Sequence, residues 1–375
     1  MKAKAILNTI FLLIITVIIV SSCSSKKDTI LIGVVGTMTG ESSDLAVSGR
    51  RGIEIAVDEI NSSGGVDGRK IELVIKNDEN KPETALLVNQ EFVEENVKFV
   101  IGHYTSEMQI KTMDYINQQD ILFLSPTVSA DLLTGIDDNI IRYIASTKEQ
   151  AVVLAKVAKK NKHKKFAIFT DSNNKAFNQP LKDNFSKILS DDGGEALLEL
   201  EYDSKNIESF IELVDNLEVY SLDAIFMIGN SASNAKLAQL IKKRDINISI
   251  YAPLWANTHT LVRMSGNSTD GMYIVGSIDE EIKVESYSRF KEKYIKRYGE
   301  KPSFSSVYSY EAAQSLFNAL SKTKDHSPDS IKKMIVKIRT FDGLQGSFNI
   351  DKFGDNTREY LMFEIIDGKL VKVKF

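Results

Sequence analysis

From Thr29 onward, apolar runs of strand length alternate with segments whose apolar residues recur at helical spacing, and the alternation runs through two successive series. ILIGVVG reads as a strand, after which Ile53, Ala56, Val57 and Ile60 mark one face of a helix. The glycine-rich SSGGVDGRK ends that helix and turns the chain into a second strand, IELVIKND. Ala85, Val88, Asn89, Phe92 and Val93 mark the next helix, followed by the strands VKFVIG and DILFLSP. A second series opens near Ala151 with the helix AVVLAKVAKK and runs through the strands KFAIFTD, EALLELEY, LDAIFMIG and ISIYAP. Its intervening helices lie around Leu181 to Leu189, Phe210 to Leu217 and NAKLAQLIKKR. Strands that alternate with helices form parallel sheets covered on both faces, which is an α/β fold. Two series fit two lobes better than one oversized sheet, and 375 residues at 43% hydrophobic content can supply two cores. The C-terminal part returns to helix in SYSRFKEKYIKRYG and YSYEAAQSLFNALSK, then ends in a stretch whose alternation and Asp367-Gly368 turn predict a closing hairpin.

The first residues differ in kind. Lys2 and Lys4 precede an apolar stretch from Ile10 to Val20, broken only by Thr16, and then comes VSSC. That is a signal-peptide layout with an apolar core too short for a comfortable membrane span. An apolar residue, two small residues and a cysteine resemble a bacterial lipobox, which implies removal of residues 1–22 and lipidation of Cys23. Residues 23–28 then form a polar tether to the membrane. Cys23 is the only cysteine, so a disulfide and a thiolate metal site are both excluded. Removing Lys2 and Lys4 moves the formal charge from −4 to −6. A mildly acidic chain whose one basic run, KKNKHKK, reads as a solvated helix end is a poor partner for nucleic acid.

In FVIGHYTSEM, residues 99–108, an apolar strand runs through a glycine into two hydroxyls, Thr105 and Ser106, where a helix begins. The first N–H groups of such a helix lack internal partners and its dipole is positive there, so a small anion is a natural occupant. SPTVSADLL repeats the arrangement after the next strand, with Ser129 as N-cap of a helix that Ala130 and Asp131 open. Each serine taken alone reads as a cap. Two adjacent strand ends with hydroxyls point instead to a carboxylate held between them, because ligands of open α/β sheets gather at the carboxyl ends of strands. Phosphate-binding glycine loops and a G-x-S-x-G elbow are both absent from the sequence. His103, His163, His259 and His326 are scattered, and His103 reads as a brace for the turn. An enzyme, a cofactor and a metal site are therefore not expected.

Over nearly all of residues 29–375 the chain resembles the type I periplasmic binding proteins, in the leucine/isoleucine/valine-binding branch that feeds ABC importers. The resemblance is carried, in order, by IGVVGTMTG, RRGIEIAVDEINSSGGVDGRKIELVIKND, FVIGHYTS, LFLSPTVSADLL and YSYEAAQSL. It implies a two-lobed clamshell, each lobe a parallel sheet flanked by helices, joined by three crossovers near Ala145, Gly276 and Gly346. Lobe one would hold residues 29–146 and 277–345, and lobe two residues 147–276 and 346–375. Ser106 and Ser129 would grip the carboxylate of an amino acid, most readily an apolar or branched-chain one, and the Thr127 carbonyl would accept from its ammonium. Tyr104 would line the side-chain pocket or serve the core.

Two departures stand out. Phe177 replaces a tyrosine common in relatives, and APLWANT offers Pro253, Leu254 and Trp255 where many carry the acid that pairs with the ammonium. Asp171 or Glu107 would have to compensate. Trp255, the only tryptophan, is a candidate apolar wall or a core residue, and Asn230 and Tyr308 are further cleft candidates. The implied partners of this extracytoplasmic, monomeric protein are a small ligand and an ABC permease and ATPase complex. The rival reading is a clamshell that signals ligand occupancy to a membrane receptor.

Overall fold

A computed structural model describes residues 29–375, so Cys23 and the leader lie outside the described residues. The first series forms β1 (Ile30–Gly36), α1 (Asp44–Ser62), β2 (Ile71–Asn77), α2 (Pro82–Glu94), β3 (Phe99–Ile101), α3 (Ser106–Asn117), β4 (Leu122–Ser125) and β5 (Ile140–Arg142). These strands make a five-stranded parallel sheet in the order β2-β1-β3-β4-β5. β3 and β4 are buried along their whole length, as parallel strands covered on both faces must be. β5 was not legible in the sequence, because IIR is only three residues long.

The second series forms α4 (Thr147–Lys160), β6 (Lys165–Asp171), α5 (Lys175–Asp191), β7 (Glu195–Tyr202), α6 (Ile207–Asp215), β8 (Ala224–Ile228), α7 (Ser231–Lys243), β9 (Ser249–Ala252), α8 (His259–Ser265) and β10 (Tyr273–Gly276). The chain then forms α9 (Glu285–Tyr298), α10 (Phe304–Leu320), α11 (Pro328–Ile338), β11 (Thr340–Gly343), β12 (Gly346–Asn349), β13 (Leu361–Ile366) and β14 (Lys369–Lys372). The second sheet runs β14-β13-β10-β9-β8-β6-β7, with β13 and β14 antiparallel as the closing hairpin.

α10 returns to the first sheet and packs along α1. A Cβ at Gly52 would stand 2.1 Å from the Ser306 carbonyl oxygen, so the close crossing of these helices requires glycine there. Gly346, the expected third crossing, lies instead in the β11–β12 hairpin. There the Phe348 ring meets Tyr143, just past β5, at 5.9 Å. Arg142 also holds this segment to the first sheet, donating from its backbone N–H to the Gly354 carbonyl and from Nε to Asp355. The chain joins the second sheet only at Leu361.

Candidate functional site

The turn after β3 is built by small residues and internal acceptors. Gly102 has φ +141°, and a Cβ on it would meet the Val35 carbonyl at 2.1 Å. Its N–H donates to the Leu124 carbonyl, and its own carbonyl accepts from Ser125 Oγ at 2.8 Å. His103 is fully buried, with Nδ1 2.9 Å from the Asp78 carboxylate and its ring stacked on Phe123. It braces the turn, as the sequence suggested.

This turn delivers α3 to the cleft with Thr105 in the N-cap position and Ser106 as the first helical residue. Neither hydroxyl caps the helix: Thr105 Oγ1 and Ser106 Oγ are both buried without a hydrogen-bond partner. A buried hydroxyl normally finds a partner, and Ser106, which also lines a cavity, is therefore available to hydrogen-bond a ligand there. Ser129 departs from expectation. Asp131–Leu133 is a single 3₁₀ turn capped by Ala130, so no α-helix starts there and Ser129 is not an N-cap. The Ala130 carbonyl accepts both from the Leu133 N–H, closing the 3₁₀ turn, and from Arg142 Nη1 of β5 at 2.9 Å, and the chain then turns back into β5. Ser129 still reaches the cavity wall.

The cleft is shut by contacts between the lobes. Asn174, before α5, accepts from the Glu107 N–H at 3.1 Å, while the Glu107 carboxylate accepts from the Ala176 N–H at 2.9 Å. The starts of α3 and α5 thus cap each other, in the manner of a capping box shared between two lobes. Farther along, Asp44 in the first turn of α1 accepts from Ser231 Oγ at the start of α7 and from Thr258 Oγ1 before α8. Burial pushes the Asp44 carboxyl above its usual range, opposed by these hydrogen bonds, so closure desolvates an acid. Asn230 caps α7 and donates to Ser42 Oγ at 3.2 Å. It belongs to this seam, and the cavity wall does not include it.

Between the seams lies a cavity of about 20 Å3, roughly one water's worth of room. Entry of anything larger requires the lobes to part. Tyr104, Ser106, Thr127 and Ser129 form its first-lobe wall. Phe177 and Trp255 face them from the second lobe, edge to face at 5.9 Å. Thr127 Oγ1 donates to the Tyr104 carbonyl at 2.6 Å, and the Tyr104 hydroxyl pairs with Ser309. Leu45, Ile144, Gln150, Asn174, Leu254 and Phe304 complete the wall. Gln150 joins it through the Leu254 N–H, which it accepts at 3.1 Å. Tyr308 is not brought to the cavity: its hydroxyl donates to the Ser277 carbonyl and its ring carries the Arg358 guanidinium. Leu254 and Phe304 also border an adjoining groove of about 660 Å3.

Asp171 does not line the cavity. Its Oδ1 accepts from Asn173, Oδ2 is buried without a partner, and burial raises its pKa. Among the described residues no cluster of His, Cys, Asp and Glu is suited to a metal.

Two α/β lobes, one on a parallel sheet and one on a mostly parallel sheet, closing over a hydroxyl-bearing helix start and an aromatic wall define a solute-binding clamshell. A family profile described as "Periplasmic binding protein" matches residues 29–369, and the chain belongs to that family. Its members are solute-binding proteins that act outside the cytoplasm, not enzymes. "Leu/Ile/Val-binding protein homolog 2" of Brucella abortus is 25% identical over 345 residues, covering 91% of each chain. Leucine-binding protein LivK from Thermotoga maritima superposes with TM-score 0.85 at 21% identity, over 92% of this chain and 98% of that one. A solute-binding protein of an ABC transporter from Rhodopseudomonas palustris, in complex with 3,4-dihydroxybenzoic acid, gives 0.83 at 19% identity, over 93% and 97%.

Proposed function

We propose that this chain is the lipid-anchored solute-binding component of an ABC importer. It captures a small carboxylate with a compact apolar body, then presents the closed form to a membrane permease and its ATPase. The observation that carries this reading is the Ser106 hydroxyl, buried without a partner at a helix start and facing a cavity. Ser106, the nearby N–H groups and Ser129 take the carboxylate. Tyr104, Phe177 and Trp255 enclose the body, and Thr105 lies behind Ser106. The leucine of one structural relative and the dihydroxybenzoate of another are both carboxylates on compact bodies. Family resemblance taken by itself points to branched-chain amino acids, which share this carboxylate and apolar body. Lobe one comprises residues 29–146 and 277–360, and lobe two residues 147–276 and 361–375, since the chain pairs with the second sheet from Leu361. Cys23 carries the lipid.

Ser106→Ala tests the carboxylate grip. A hydrogen bond to a charged group contributes about 1.5–3 kcal/mol, so the variant should bind roughly 10- to 150-fold more weakly. Titration calorimetry with leucine, 4-methylpentanoate and benzoate, alongside thermal unfolding to confirm an unchanged fold, measures it. Equal affinity for every binder would remove Ser106 from the site.

A further inference from the structure

The cavity wall contains no ionisable acid or base: its polar groups are the hydroxyls of Tyr104, Ser106, Thr127 and Ser129, the amides of Gln150 and Asn174, and the Trp255 indole N–H. The acids around it lie off the wall, and each has at least one partner elsewhere, although Asp171 Oδ2 has none. Asp44 is held by Ser231, Thr258 and its neighbour's N–H, Glu107 by the Ala176 N–H, and Asp171 Oδ1 by Asn173. Of the backbone acceptors near the wall, the Thr127 carbonyl carries no hydrogen bond, while three others are in use. The Tyr104 carbonyl accepts from Thr127, the Ser129 carbonyl from the Thr147 N–H and the Leu254 carbonyl from the Asn257 N–H. Against this stands the orphan hydroxyl of Ser106, a wall residue at the positive end of a 12-residue helix; Thr105, whose hydroxyl is also unpartnered, is not on the wall. The wall therefore favours an anion and offers an ammonium no counter-charge, only the Thr127 carbonyl and neutral side-chain oxygens. A buried cation without a counter-charge is costly.

We propose that the site selects amine-free monocarboxylates, branched or aromatic, over the α-amino acids of the same shape. This rests on the reading that the cavity grips a carboxylate, and deepens it. Phe177 and Trp255 supply an apolar corner, their rings inclined at 76°, and Leu254 stands with them on a wall that includes no Asp or Glu. The discriminating feature is a lack of charge around the carbon that bears the carboxylate.

The test is a matched pair. The purified chain is freed of carried ligand by partial unfolding and refolding, then titrated with leucine and with 4-methylpentanoate, which differs only in lacking the amine; benzoate is a third probe. The expected result is that 4-methylpentanoate binds at least about tenfold more tightly than leucine, and that Leu254→Asp shifts the ratio toward leucine by a similar factor while Leu254→Asn does not. Leucine binding as tightly as 4-methylpentanoate, or more so, overturns the selectivity and leaves the carboxylate reading standing. Silence from all three probes overturns both.

Discussion

Ser231→Trp is expected to abolish tight ligand binding while the chain stays folded. Ser231 is fully buried as the first residue of α7, and its hydroxyl touches Asp44 on the opposite lobe. An indole has no room in that seam, whereas in a parted cleft the same side chain projects into solvent. Apparent affinity falls in proportion to the population able to close, so a closed fraction held near 1% weakens binding about 100-fold. Ser231→Ala is the control, since it removes one hydrogen bond and leaves Asp44 the Thr258 hydroxyl and the Leu45 N–H. Its loss should be about 1.5 kcal/mol, the low end for a hydrogen bond to a charged group, because two donors to Asp44 remain. Calorimetric titration of the two variants, with thermal unfolding of each, separates closure from folding. Wild-type affinity in Ser231→Trp would mean that closure has no part in capture.

Arg358→Ala should remove about 3–5 kcal/mol of stability, the usual result of leaving one partner of a buried ion pair alone. Arg358 Nη1 lies 2.6 Å from the Glu311 carboxylate, whose side chain is 4% exposed. The guanidinium also sits 4.0 Å from the Phe348 ring centre and 4.5 Å from that of Tyr308. Glu311 Oε1 keeps the Leu344 N–H, so the stranded charge has only one strong donor left. Replacing both members, as Arg358→Met with Glu311→Gln, removes the charge altogether and should recover most of the loss. Denaturant unfolding of the single and double variants reads the difference; equal midpoints for wild type and Arg358→Ala would show the pair to be energetically idle.

The two-series alternation was legible because each long strand and helix announces its own period, and VKFVIG and LDAIFMIG fold where their apolar runs stand. β5 and β10 escaped notice because three or four residues carry no period, and both are held in place by neighbours far along the chain. The start of α3 was legible for the same local reason: glycine, hydroxyls and then a helical pattern. Ser129 shows the limit of local reading. SADLL carries the composition of a helix start, but the chain makes a single 3₁₀ turn there, with the Ala130 carbonyl shared between the Leu133 N–H and Arg142 from β5. Tyr308 and Asn230 have the side chains a ligand would use, and packing spends them on Ser277 and Ser42 instead. Gln150, Asn174 and Ile144 were missed because each reaches the wall through a contact that no neighbouring residue signals.

Trp255 offers the most direct test of the central claim, that a small carboxylate is captured between the start of α3 and the aromatic wall. It is the only tryptophan in the chain and its indole lies on that wall against Phe177. Its emission therefore reports this cavity without a label. Titration of the ligand-free chain with 4-methylpentanoate should change the Trp255 emission saturably, and 4-methylpentanamide, which lacks the charge, should not. An emission that responds equally to acid and amide, or to neither, would contradict the account.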